Sequence, residues 1–297
     1  MNRKEFGQLV AALRKEQFDE DGNRLTQAGL AARAARQDPH TSLNEIIIGK
    51  IERGERSILD EKTLLALADA LSLMVGERRV FFVAATGLDA DQIYPTPQES
   101  QTILQNTLEI LGDIQLPALL LDTYLDIIGV NTAVLHLYNT SPTVINKVTT
   151  GNQAINLLDF VFSPDFAPNR QHLSQEQWHD FATGNVMYFR RLTLPFRMTA
   201  YFQKLLKRLR RYRDFRYFWE QVFYEDSQFF VGGTSWQASS AESGRLHFLT
   251  APLVTRTPYG NLELLTHIPR SPTTAAAFQQ FAANNRSLQL APWPDKP

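Results

Sequence analysis

The sequence of 297 residues contains no cysteine and no long apolar run. The absence of cysteine excludes disulfide frameworks and thiolate metal sites, and it is compatible with a reducing cytosol. The longest apolar runs, such as 80–85 and 116–121, are far shorter than the roughly 18 to 20 residues that a membrane-spanning helix needs. Residues 1–18 are polar and amphipathic and do not have the pattern of a secretory signal. We therefore expect a cytoplasmic protein.

The common catalytic motifs are also absent. The sequence has no G-x-S-x-G elbow, no P-loop, no dinucleotide-binding glycine triplet and no H-E-x-x-H. His172 and His179 are seven residues apart, but no third metal ligand has a suitable spacing. We expect no metal, no required cofactor and no catalytic residue. An enzyme of unspecified activity, carried by the second half of the chain, remains the alternative.

Composition and charge favour a folded protein of two domains. The chain is 43% hydrophobic and 21% charged, which is ordinary for a globular protein. Most aromatic residues follow residue 150, so the second half should contain the larger apolar core. The net charge is −1, yet residues 3–56 carry a slight basic excess, which is the sign that phosphate binding requires.

The first 88 residues have the pattern of five short helices. Apolar residues recur at three- and four-residue steps between residues 2 and 18, which indicates one buried helical face. Thr26, Asn44 and Asp60 are suitable N-caps for the next three helices, and a fifth is predicted from about 75 to 85. On the third helix we expect an apolar inner side and an outer side. The inner side contains Ile48 and Ile51, and the outer side contains Glu45, Ile46, Ile47, Gly49 and Lys50.

Three segments of this region, LTQAGLAARA, IIIGKIERGERS and TLLALADALSL, resemble the XRE-family, lambda-repressor-like helix-turn-helix domain. The resemblance covers residues 3–87, and its most specific part combines 25–27 with 51–56. Residues 36–43, RQDPHTSL, form a longer connection than the short turn of that family. The resemblance implies that residues 1–88 bind a double-stranded DNA operator.

In such domains the second helix docks across the phosphates and the third enters the major groove. We predict DNA contacts from Thr26 and Gln27 to phosphates, from Asn44, Glu45, Ile46 and Lys50 to base edges, and from Arg53 and Arg56 to the backbone. The alternative for 52–56 is a set of solvated ion pairs at a helix end. Because one such domain covers only one half-site, we expect a homodimer.

Residues 89–100, with two prolines and several polar residues, are predicted to be a linker. A second domain is expected over 101–285, followed by a tail over 286–297 with little order. Its predicted elements are a helix at 101–111, a hairpin of 116–122 with 125–131, a helix at 133–138, a hairpin of 245–257 with 261–268, and a helix at 273–284.

The strings PALLLDTYLDIIGVNTAVLHLY, NLLDFVF and RDFRYFWEQ, in this order, resemble the MmyB-like ligand-binding domain over residues 104–283. That domain commonly follows an XRE-type head. The resemblance implies a PAS-like fold, which is a small antiparallel sheet with helices packed around an effector pocket. The Gly- and Ser-rich segment 232–244 departs from the family pattern. The expected fold class is therefore α+β, with an all-α five-helix head and a PAS-like second domain.

The aromatic residues of the second half have two interpretations. Any one of them is most simply a core residue, but as a group they supply enough surface to line a cavity. We hypothesise an elongated apolar effector, such as a fatty acid, that modulates operator binding. The candidate ligand-binding residues are the aromatic Tyr188, Phe215, Phe218 and Trp219, with Arg190, Arg191 or His247 as partners of a polar head group.

Residues 204–216, KLLKRLRRYRDFR, are rich in Lys and Arg, with apolar residues at helical spacing, and predict one amphipathic basic helix. Three interpretations remain open for it: a solvated outer face, a second contact with the DNA backbone, and a contact with an anionic membrane surface.

Overall fold

The computed structural model describes residues 2–55, 59–86, 99–140, 154–170, 173–221, 235–240, 244–257 and 259–294. These residues form two compact units. Unit one contains the described residues up to 86, together with 187–210 and 219–221, and unit two contains the rest. The predicted linker, up to residue 98, lies outside the described residues.

The helices are α1 (Arg3–Glu16), α2 (Gln27–Gln37), α3 (Glu45–Glu52), α4 (Glu61–Ala70), α5 (Val75–Ala85), α6 (Ser100–Asp113), α7 (Thr132–Leu137), α8 (Leu157–Phe162), α9 (Gln175–Thr193), α10 (Ala200–Leu209), α11 (Arg213–Gln221) and α12 (Pro272–Phe281). Single 3₁₀ segments lie at Pro164–Arg170 and Leu194–Phe196. The strands are β1 (Ala118–Asp122), β2 (Ile127–Asn131), β3 (Ser235–Ser240), β4 (Gly244–Thr257), β5 (Gly260–Pro269) and β6 (Ser287–Gln289). The α+β class expected from the sequence is confirmed.

Three of the five N-terminal helices, α2, α3 and α4, begin at the predicted caps. The Thr26 hydroxyl accepts from the Gly29 N–H at 3.0 Å, and the Asn44 side chain accepts from the Ile47 N–H at 2.9 Å. The Asp60 carboxylate likewise accepts from the Thr63 N–H at 2.7 Å. Each cap satisfies an N–H group that has no partner within its own helix.

The core of unit one is built from apolar residues of all five helices and includes Leu9, Leu30, Ile48, Leu67 and Phe81. The α1 and α3 backbones pass so closely that a Cβ atom at Gly7 would lie 2.4 Å from the Ile51 carbonyl oxygen. The outward positions predicted for Ile47 and Gly49 are wrong, for Ile47 in part. Gly49 is buried, and the Ile47 side chain is half-buried and packs against this core, whereas Ile46 is 69% exposed.

Residues 187–210 also belong to unit one, although they lie a hundred residues beyond the five helices in the chain. Leu194 is fully buried in the same core, and Met198 packs against it. The single basic helix predicted over 204–216 is wrong, because α10 ends at Leu209 and α11 begins at Arg213. The apolar side of α10 is buried through Phe202, Leu205, Leu206 and Leu209.

Unit two contains a six-stranded sheet in the order β3-β4-β5-β1-β2-β6, with antiparallel neighbours throughout. The β1–β2 and β4–β5 hairpins confirm the two predicted from the sequence. The expectation of little order after residue 285 is wrong for the described residues, because β6 pairs with β2. Trp293, beyond β6, is buried with Leu120, Ile128 and Leu264.

Asn131, at the end of β2, joins the sheet to two neighbouring segments. Its side-chain oxygen accepts from the Val134 N–H, as the cap of α7, and from the Ala118 N–H of β1, both at 3.0 Å. Its amide donates to the Leu116 carbonyl at 2.8 Å. Asn131 is fully buried, so its backbone partners could not form hydrogen bonds with water if the side chain were removed.

We therefore predict that Asn131→Ala lowers the free energy of unfolding by about 3 kcal/mol, because several buried polar groups lose their partner. The control is Asn44→Ala, which removes an exposed cap and should cost only about 1 kcal/mol. Denaturant titration of the two variants measures both values. Equal losses would contradict the role given to Asn131.

Candidate functional site

Several of the residues that we predict to contact DNA lie on the outer face of α3. Glu45, Ile46 and Lys50 are exposed on it, and Asn44 is exposed as its cap. An exposed isoleucine between charged residues can touch a thymine methyl group while its neighbours meet base edges. Thr26, the exposed cap of α2, and Gln27, its first residue, belong to the same unit.

The opposite side of α3 is fixed to α1 and α2 by a buried ion pair. Arg14 Nε donates to Glu52 Oε1 at 2.6 Å and Arg14 Nη2 donates to Glu52 Oε2 at 3.0 Å, while Nη1 donates to the Leu25 carbonyl at 2.6 Å. The Gln27 amide donates to Glu52 Oε2 at 2.6 Å. A bidentate pair of this kind fixes geometry as well as adding energy. Glu52 therefore orients both α3 and the Gln27 side chain.

The end of α3 agrees in part with the alternative of local ion pairs. Arg53 donates to both carboxylate oxygens of Glu55, at 2.6 and 3.0 Å, and both side chains are exposed. A phosphate contact from Arg53 would have to compete with this pair. Arg56, the other predicted backbone contact, lies outside the described residues.

A cluster of buried charges connects the five-helix part of unit one to residues 187–210. Arg197 Nη1 donates to Glu16 Oε2 at 3.2 Å, and Arg197 Nη2 donates to Glu77 Oε1. Arg190 Nε donates to Glu77 Oε1 at 3.2 Å. Glu77 is fully buried, Arg197 and Glu16 are nearly so, and the Arg190 side chain is 12% exposed. We call these four residues the charge cluster.

Burial and ion pairing compete within the charge cluster. Burial raises the pKa of Glu16, and the attraction of Arg197 only partly offsets that effect. Burial also acts to raise the pKa of Glu77, but Arg190, Arg197 and the Met74 N–H together hold this pKa below its ordinary value. Glu77 is thus the carboxylate whose ionised form the cluster favours.

Four of the seven predicted ligand-binding residues lie in unit one. Trp219 lies over two guanidiniums of the charge cluster, with its ring centroid 5.3 Å from Arg190 Cζ and 5.5 Å from Arg197 Cζ. The Tyr188 ring lies 5.4 Å from Arg191 Cζ. Arg190 is engaged with Glu77, so it would have to leave a buried ion pair to meet a ligand head group.

The other three predicted ligand-binding residues lie in unit two. Phe215 and Phe218 of α11 pack against Phe162, at centroid distances of 5.5 and 6.2 Å, and Trp178 lies 6.3 Å from Phe218. We call Phe162, Trp178, Phe215 and Phe218 the aromatic cluster. His247 lies on β4, where its backbone N–H donates to the Thr274 hydroxyl at 3.0 Å.

Unit two also contains a tyrosine–histidine pair that the sequence did not reveal, with His267 buried and Tyr138 half-buried. The Tyr138 hydroxyl lies 2.8 Å from His267 Nε2, and His267 Nδ1 lies 3.0 Å from the Pro117 carbonyl oxygen. Because that carbonyl can only accept, Nδ1 carries the proton and the Tyr138 hydroxyl donates to Nε2. Burial lowers the pKa of His267 to about 4 and raises that of Tyr138.

Other groups missed from the sequence are the charged residues Arg14, Glu52, Glu16, Glu77 and Arg197. Arg14 and Glu16 come at the end of an amphipathic helix, where charged side chains are usually solvated. Their buried partners follow 38 or more residues later, so no local pattern could reveal them. Within the described residues, no cluster of His, Asp and Glu suits a metal ion, and no helix has the length and hydropathy to span a bilayer.

A helical unit whose third helix exposes one face, and a second unit built on an antiparallel sheet, are consistent with a ligand-responsive transcription regulator. Residues 102–281, more than half of the chain, match the family model described as the MmyB-like transcription regulator ligand binding domain. The chain belongs to this family, which consists of transcription regulators rather than enzymes. No curated protein matches the sequence.

The Tyr138–His267 pair predicts a specific pH dependence. His267 has a folded pKa of about 4, below the ordinary histidine value of 6.5, so the unfolded chain takes up a proton first as the pH falls. This contribution to the free energy of unfolding is therefore complete above pH 6.5 and is lost as the pH falls towards 4. At about 1.4 kcal/mol per pKa unit, the whole contribution is about 3 kcal/mol.

His267→Gln should remove this contribution while retaining one donor and one acceptor. Denaturant titrations at pH 7 and pH 4 should show a smaller loss of stability for the variant than for the wild type. His40→Gln, at an exposed position, is the control and should behave as the wild type. An unchanged pH dependence in His267→Gln would contradict the buried neutral histidine.

Proposed function

We propose that this chain is a cytoplasmic DNA-binding transcription regulator whose family domain binds a small apolar effector. In this proposal unit one binds operator DNA through α3, and the effector, a fatty acid, modulates that binding. The observation that carries the DNA-binding part is the contrast between the two sides of α3. Its inner side is fixed by the Arg14–Glu52 pair, while Glu45, Ile46 and Lys50 remain exposed.

The exposure of these residues supports the individual contacts that we propose. Lys50 is a donor suited to guanine, Glu45 can accept from cytosine N4, and Ile46 offers an apolar contact to thymine. Thr26 and Gln27, at the N-terminus of α2, are placed where backbone N–H groups favour a phosphate. The side chain of Gln27 is oriented by Glu52, so a phosphate contact through it needs little further ordering.

The proposal includes a homodimer. One unit of this size presents a single short helix to the groove and so covers one half-site, whereas useful affinity at physiological salt usually takes two copies related by symmetry. DNA sites for such a dimer would consist of two inverted half-sites.

Lys50→Ala tests the DNA-binding proposal. Duplexes should first be selected from a random pool with the full chain, and their sequences should show inverted half-sites. Loss of a base contact should then weaken binding by about 1–3 kcal/mol, or roughly 5- to 150-fold, and relax specificity at one position. Lys62→Ala, an equal change of charge on the exposed side of α4, is the control.

Fluorescence anisotropy at several salt concentrations measures the affinity of each variant, and titrations with duplexes that carry single base changes measure its specificity. Equal affinities for Lys50→Ala, Lys62→Ala and the wild type would show that Lys50 does not contact a base. Failure to enrich any duplex with the wild-type chain would refute DNA binding itself.

The effector part rests on the family membership and on the aromatic cluster of unit two. Binding sites for small apolar molecules are mostly lined by apolar and aromatic side chains. Phe215 and Phe218 each contact Phe162 there, so the chain places two of the seven candidate residues together.

We predict that the full chain binds fatty acids of 8 to 18 carbons, seen as mass adducts in native mass spectrometry and as an increased melting temperature. Phe218→Leu should weaken binding about tenfold, since it removes contact area worth about 1–2 kcal/mol. Tyr217→Leu, at the exposed neighbouring position of α11, is the matched control. An absence of adducts and of any thermal shift would rule out this effector class.

A further inference from the structure

We propose that Trp219 and Arg197 are positioning residues through which helix α11 sets the conformation of the DNA-binding head. By the head we mean α1–α5. The inference deepens the proposed function, because it names the residues by which the family domain would control the head. It rests on a difference within α11: Phe215 and Phe218 pack in unit two, whereas the next residue, Trp219, packs in unit one.

The first half of α11 is part of unit two. Phe215 is fully buried and Phe218 is nearly so, and both pack in the aromatic cluster with Phe162. Tyr212, just before this helix, donates its hydroxyl hydrogen to Asp159 at 3.0 Å. The position of α11 therefore depends on the packing of apolar rings, the kind of surface that an apolar ligand would disturb.

The end of the same helix is part of unit one. Trp219, one residue after Phe218, lies over the guanidiniums of Arg190 and Arg197 and packs edge-on against Phe189, with 6.1 Å between ring centroids. A tryptophan ring above a buried guanidinium adds an attraction of its own and restricts the orientation of the cation. A rotation of α11 by one residue would remove this contact.

Arg197 in turn holds the head at two points. It bonds to Glu16 at the end of α1 and to Glu77 in the first turn of α5. These ions have little access to water, so they cannot compensate for a lost partner by becoming solvated. The Arg191 side chain also lies close to Gly76, where a Cβ atom would approach its Cδ at 2.7 Å. Both α1 and α5 are thus packed against the segment that Trp219 orients.

Because α11 is one continuous helix, the proposed coupling should run through this helix and not through the rest of unit two. An α-helix of nine residues transmits a rotation or shift along its length because its backbone hydrogen bonds are continuous. A change at Phe215 should therefore reach the head, whereas an equal change elsewhere in unit two should not. Phe248 on β4 offers that comparison, since it is also buried in unit two and contacts His267 and Phe278 instead.

Hydrogen exchange of the full chain, followed by mass spectrometry, tests this inference without DNA or ligand. Phe215→Leu should speed the exchange of the slow amides of α1 and α5 at least tenfold, and Phe248→Leu should change them less than twofold. Equal effects of the two variants on the head, or no effect of Phe215→Leu, would overturn the proposal.

A second pair of variants separates positioning from general stability and does not depend on how well Phe215→Leu folds. Trp219→Phe keeps an aromatic ring above the guanidiniums and should retain most of the slow exchange, while Trp219→Leu should not. In the Trp219→Leu background, Phe215→Leu should add less than twofold to exchange in the head. Full additivity of these two changes, or equal exchange in both Trp219 variants, would show that Trp219 does not position the head.

Addition of dodecanoate then addresses the effector separately. In the wild type it should alter exchange in α1 and α5, and in Trp219→Leu it should alter exchange in unit two alone. An equal effect on the head in both proteins would count against the coupling. No binding of dodecanoate would count against the proposed effector, while the comparison of Phe215 with Phe248 would still decide the coupling.

Discussion

The arrangement of unit one depends on the two buried ion pairs of Arg197. A guanidinium with 2% exposure is costly unless its partners are in place, and both partners, Glu16 and Glu77, come from helices more than a hundred residues earlier. Removing one partner of such a pair commonly costs about 3–5 kcal/mol, since a charge is left buried without compensation. The five N-terminal helices and residues 187–210 therefore form one folded unit whose parts need each other.

This dependence gives the two ion-pair systems of unit one separate tasks. Arg14 and Glu52 fix α3 against α1 and α2, so the exposed side of α3 is presented in one orientation. Arg197 and Arg190 pair with Glu16 of α1 and Glu77 of α5. They thereby connect these two helices to the segment that belongs to the ligand-binding family. In the proposed function, the first ion-pair system holds the DNA-reading face of α3 and the second is the point at which the ligand-binding segment acts on the head.

Local signals in the sequence predicted much of the fold. Thr26, Asn44 and Asp60 start helices as expected, and the β1–β2 and β4–β5 hairpins follow from short apolar runs. Features without a local signal were missed. No Pro or Gly marks the break between α10 and α11, and β6 is a strand of only three residues whose partner lies far away in the chain. The ion pair of Arg190 with Glu77, 113 residues away, likewise has no local signal in the sequence.

A crystal structure of the full chain bound to a duplex selected from a random pool tests the proposed DNA-binding head most directly. If the head binds as proposed, α3 lies in the major groove, with Ile46 and Lys50 at base edges and Arg197 still paired with Glu77. DNA held by another surface, with α3 facing solvent, would contradict it, and so would a DNA-bound head from which residues 187–210 had separated.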